Sequence, residues 1–146
     1  MKKILIAITG ALLTTMINAL DSEDYDIMGK QALSAFTCSH LASLSYDSLN
    51  NSQQESKRLF DYGYKTGDMF INASKQGKIK KYKHAPVIFT FLINERKVNN
   101  SAFILGRLYE WSYEKIDKEF PVMNVGRNKY KVMDKYHNKN CELIGR

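Results

Sequence analysis

The apolar and polar positions of this chain alternate in helical stripes separated by polar turns. From Asp24 to about Tyr46, Met28, Ala32, Ala35, Ser39, Ala42 and Tyr46 recur at steps of three and four, and Leu33, Phe36 and Leu41 widen the stripe. Asp21 or Ser22 is placed to cap this helix, and the acids around it suit the positive end of the helix dipole. A second stripe follows a Ser52-x-x-Glu55 capping-box pattern and runs through Leu59, Phe60, Gly63, Tyr64, Gly67, Phe70 and Ile71. Arg58, Asp61, Lys65, Asp68, Asn72 and Lys75 fall on its other face, with Asp61 and Lys65 spaced for an i,i+4 pair, and Gly77 marks its end. Gly63 and Gly67 lie on the apolar side. Each costs about 1 kcal/mol of helix propensity relative to alanine, so the pattern predicts a second helix packed closely against them.

The remaining segments are shorter. Pro86 precedes a run from Val87 to Ile93 that is apolar at every position but Thr90, and its periodicity fits a buried helix or a buried strand. With no second strong strand to pair it, a short helix with Pro86 in its first turn is expected. Asn99-Asn100-Ser101 reads as a turn and cap. Beyond it, Leu105, Tyr109, Ser112 and Ile116 form the inner face of a helix from Ala102 to about Lys118. The stretch Phe120 to Gly126 loses all helical period, and a last short helix places Tyr130, Met133 and Tyr136 on one side. The fold class expected is all-α, a small bundle of four to five helices.

The amino terminus adds a compartment. Lys2 and Lys3 lead an apolar run from Ile4 to Leu13, and Ile17-Asn18-Ala19 has cleavage-site chemistry, so residues 1–19 read as a secretory signal cut before Leu20. The run is shorter than the ~20 residues of a membrane span, so no membrane insertion is expected. The mature chain would be a single helical domain over 20–146 in an oxidising compartment, the bacterial periplasm. There, Cys38 and Cys141, the two cysteines, read as one disulfide. A closed loop of about a hundred residues corresponds to ~4.7 kcal/mol in the chain-entropy model, before native strain is subtracted. A nucleophilic Cys38 served by His40 is the weaker alternative, because residues two apart on a helix point apart.

Charge narrows the partners. The formal charge of +7 falls to +5 once Lys2 and Lys3 leave with the signal. Asp21, Glu23, Asp24 and Asp26 make the new terminus acidic, while Lys75, Lys78, Lys80, Lys81 and Lys83 form one basic cluster. Arg127, Lys129, Lys131, Lys135 and Lys139 form another. Export disfavours nucleic acid, which leaves anionic headgroups or an acidic protein. The histidines His40, His84 and His137 are far apart in sequence, so neither metal nor cofactor is expected. Glu110, Glu114 and Asp117 could supply the paired carboxylates of a secreted cell-wall hydrolase, but they share the polar face of a helix with Arg107 and Lys118 beside them. A catalytically silent binding protein is the better expectation.

The order of features resembles a known family. The helix around Cys38 is followed by the glycine-marked Leu59-Phe60-Asp61-Tyr62-Gly63, by the block Phe103-Ile104-Leu105-Gly106-Arg107-Leu108-Tyr109-Glu110, and by a late cysteine. This layout resembles the periplasmic immunity proteins that protect bacteria from type VI secretion amidase effectors. The resemblance implies a small helical protein, often dimeric, that binds a cognate peptidoglycan amidase and occludes its active-site cleft without catalysis of its own. It also implies close packing at Gly106 and a surface role for Arg107 with Glu110. From the physics of cleft filling, Val122, Met123, Asn124 and Val125 are expected to enter the amidase groove. Arg127, Lys129, Lys80, Lys81 and Lys83 are expected at its charged rim. A periplasmic adaptor with another protein partner is the remaining alternative.

Overall fold

The computed structural model describes residues 20–45, 49–95, 100–121 and 125–146. The signal segment, Tyr46, and the proposed plug residues Val122, Met123 and Asn124 lie outside the described residues. Five helices follow in order: α1 (Ser22–Leu44), α2 (Leu49–Lys75), α3 (Val87–Glu95), α4 (Ser101–Glu119) and α5 (Val125–Asn138). A short 3-10 turn, Cys141–Leu143, comes last. No strand occurs among the described residues. The apolar run after Pro86 is therefore helical, with the Pro86 carbonyl accepting from the amides of Phe89 and Thr90.

α1 begins as its composition dictates. The Asp21 side chain accepts from the amides of Glu23 and Asp24, and Asp24 reaches back to the Asp21 amide. α2 begins earlier than its own capping-box pattern predicts. Leu49 is already helical, so Ser52 and Glu55 lie inside the helix and the expected cap is overturned. Glu55 turns instead to Arg58 and Tyr136. The end of α2 does follow the sequence. Gly77 has φ +66°, its amide donates to the Ser74 carbonyl, and the Lys78 amide donates to that of Ala73. That is a Schellman closure, which a residue with a Cβ would strain.

α1 and α2 form the longest interface, and the two helix glycines explain its closeness. A Cβ on Gly63 would stand 2.8 Å from Phe36 Cδ1, and one on Gly67 would collide with Leu105 of α4. The first cluster is built over these contacts from Ala32, Phe36, Phe70, Ile71, Phe89, Leu92, Ile104, Leu105 and Leu108, joining α1 to α4. Gly106 does the opposite of what the resemblance implied: it is exposed, with nothing within 4 Å of where its Cβ would be.

The second cluster closes the other end. Cys38, Leu41, Ala42, Leu59, Ile116, Phe120, Val132, Tyr136 and Cys141 pack together, and the Cys38–Cys141 disulfide spans 103 residues of chain with Cα atoms 5.5 Å apart. α5 enters this cluster through Val132 and Tyr136, one turn apart, whereas Tyr130 is 83% exposed. The expected inner face of α5 is thus rotated: Tyr136 belongs to it and Tyr130 does not.

Candidate functional site

A charged surface with several backbone tethers is the loop between α2 and α3. Three lysines of the sequence-predicted rim, Lys80, Lys81 and Lys83, lie on it beside Lys78, all exposed. The loop owes its order to Asp26, one of the four acids at the start of the chain's described part. Asp26 is 1% exposed, and its carboxylate accepts from three successive amides: Lys83 and His84 at 2.7 Å and Ala85 at 3.0 Å. A carboxylate taken out of water is tolerated where backbone donors replace its hydration. Those amides in turn would otherwise be unpaired beside the core.

Further contacts fix the rest of the loop. The Lys80 amide donates to Ser22 Oγ at 2.9 Å, and Ile79 is buried in the first cluster. Tyr82 lies edge-on to Phe70, and its hydroxyl is 2.7 Å from Ser74 Oγ. His84 Nε2 approaches Glu23 at 3.3 Å, and Lys78 lies over the Tyr25 ring. Lys80, Lys81 and Lys83 form no ion pair among the described residues. Together with Lys78 they line a shallow depression whose other wall is Asp21, Ser22 and Glu23, with Asp26 beneath. The arrangement offers exposed cations on a tied-down backbone with neighbouring anions, while Tyr82, outside the lining of the depression, is 44% exposed.

The other candidates are dispersed. Arg127 is exposed and Lys129 half-buried on α5; Val125 starts that helix. Arg107 and Glu110 form an ion pair on the outer face of α4, where Glu114 is also exposed. Asp61 pairs with Lys57, one turn earlier on α2, and not with Lys65 as the spacing suggested.

Two polar clusters were hidden from the sequence. His40 is buried with its ring 4.1 Å from that of Tyr109, and its Nε2 donates to the Tyr109 carbonyl at 3.2 Å. Burial pushes its pKa below the ordinary value, although the bond to Tyr109 acts the other way. With Cys38 in a disulfide, His40 has no thiol to activate. At the second cluster, Glu55 receives two hydrogen bonds from Arg58 and one from the Tyr136 hydroxyl, while Arg58 also donates to the Ile144 carbonyl. The bonds from Arg58 hold the Glu55 carboxyl below its usual pKa, and burial with Glu55 alongside pushes the Tyr136 phenol up. These groups satisfy one another and clamp the chain after α5 to α2.

Among the described residues, no group of histidines, cysteines and acids could hold a metal ion, and no helix is long and apolar enough to cross a membrane. No family model, curated protein or solved structure matches this chain.

Proposed function

We propose that this chain is a periplasmic immunity protein that binds a type VI secretion peptidoglycan amidase and occludes its catalytic cleft, with no reaction of its own. The observation that supports this reading is the lysine loop. Its charges are held out on backbone tied down by Asp26, so an acidic enzyme would meet a preformed surface. The disulfide suits an oxidising compartment. The layout around Gly63 and the Phe103–Glu110 block supplies the resemblance to the family. In this reading Val122, Met123, Asn124 and Val125 enter the cleft, and Arg127 and Lys129 extend the charged rim.

A peptidoglycan-digestion assay tests the proposal with residues 20–146 in oxidised form, a type VI amidase from the same genome, and the two mixed. Suppression of the amidase at near-stoichiometric amounts is the expected result. Cleavage of peptidoglycan by the protein alone would overturn it and turn attention to Glu110 and Glu114.

A further inference from the structure

We infer that the lysine loop between α2 and α3 is a contact surface for the partner, and that the partner presents a predominantly acidic protein surface with a basic group at its edge. The inference rests on the inhibitor reading above and names the part of the molecule that makes the contact.

Three features of the loop converge on this. The first is unspent charge. Lys57 and Lys135 each have a carboxylate partner on the protein, whereas Lys80, Lys81 and Lys83 are exposed and form no ion pair among the described residues. Charges left open in this way raise association rates with a complementary surface. The second is order. Asp26, Ser22, buried Ile79 and the Schellman closure at Gly77 hold the backbone, so binding would freeze little additional chain motion. The third is an aromatic residue that lies between two of the lysines in sequence. Tyr82 is held by Phe70 and Ser74 yet leaves much of its surface open, the amphipathic, low-entropy anchor that interfaces favour.

The neighbouring acids decide the class of partner. Asp21 and Glu23 are exposed and line the same depression as the lysines. A uniformly anionic surface, such as a headgroup layer, would be repelled by them at the distance where it meets the lysines. A protein surface can carry both signs in register and match both walls.

The test uses the oxidised protein, the amidase of the same genome, and two double variants with equal charge change. Lys81→Glu with Lys83→Glu reverses the loop; Lys65→Glu with Lys115→Glu reverses two exposed lysines elsewhere. Calorimetry at low and high salt gives affinity, and thermal melts check that both variants fold. The loop variant is expected to bind at least about tenfold more weakly than wild type, with a shallower salt dependence, while the distal variant stays within about twofold. Equal affinity of the two variants would overturn the inference while leaving the inhibitor reading standing. A wild-type protein that neither binds nor inhibits the amidase would overturn both. Sedimentation with phosphatidylglycerol vesicles that depends on Lys81 and Lys83, without amidase binding, would overturn the protein partner in favour of a lipid surface.

Discussion

The two ends of this bundle are held by different physics. At one end, α1 to α4 interlock through shape: Phe36 fills the space that Gly63 leaves open, Leu105 and Phe89 that beside Gly67, and Phe70 that beside Gly29. At the other, α5 brings two buried side chains, Val132 and Tyr136, and a covalent bond supplements them. The first end buries one charged side chain, Asp26, and satisfies it with backbone amides. The second partly buries Glu55 and Arg58 and satisfies them with each other, with Tyr136 and with the chain after α5. Where apolar area is ample, the protein can afford a buried carboxylate that organises a loop. Where it is scarce, the polar groups and the disulfide share the task of holding the last helix.

This contrast can be broken in order of size. Phe36→Ala removes a ring enclosed by Phe60, Tyr109 and the Gly63 backbone, and should cost about 3–5 kcal/mol in a denaturant titration. A cost under about 1 kcal/mol would mean the first end can collapse around the void. Cys141→Ser should lower stability by about 2–4 kcal/mol, with hydrogen exchange rising first in 125–138 while α1 and α2 stay protected. Uniform loss of protection would show that the two ends unfold as one.

Acid separates the ends by pH. His40 lies against Tyr109, a ring packed on the first cluster, and its pKa is lowered by burial, so the unfolded chain binds the proton more readily. Its contribution to stability is complete above its ordinary value of 6.5 and is lost as pH falls below it. Glu55, also lowered, contributes fully above 4.5 and loses that contribution in stronger acid. Melting temperature should therefore fall in two stages, and His40→Gln should remove only the first. A single fall below pH 4.5, unchanged by His40→Gln, would contradict this assignment. The smallest effect is a gain. Gly106→Ala should stabilise by up to about 1 kcal/mol, because the helix improves and the space is open. A loss would mean that some neighbour needs the glycine.

The bundle was legible because helical period survives tertiary context. Gly63 and Gly67 announced their role through position in an apolar stripe, and the cysteine pair through the export signal, which favoured a disulfide over a nucleophilic Cys38. Asp26 did not. It stands among three other acids, and its partners are backbone amides far along the chain, which have no residue signature. Ser52 and Glu55 gave a genuine capping pattern that a helix beginning at Leu49 overrode. On α5 the apolar positions Tyr130, Val132, Met133 and Tyr136 fit more than one helix phase, and the position of Cys141 against Cys38 favoured the phase that buries Val132. The lysine cluster was visible as composition, but its fixed presentation depends on contacts no local pattern records.

Synthesis proceeds from the amino end, and this gives the disulfide a place in time. Residues of the first cluster end at Leu108, so that end can assemble before α5 exists. Cys38 must wait through 103 further residues for its partner. During that interval an oxidant that takes two electrons could join its thiol to another, including that of a second nascent chain. Early docking of Leu41 and Leu59 beside it would shelter the sulfur until Cys141 arrives. Yield of the correct monomer would then depend on how quickly α1 and α2 pair relative to encounter with an oxidant.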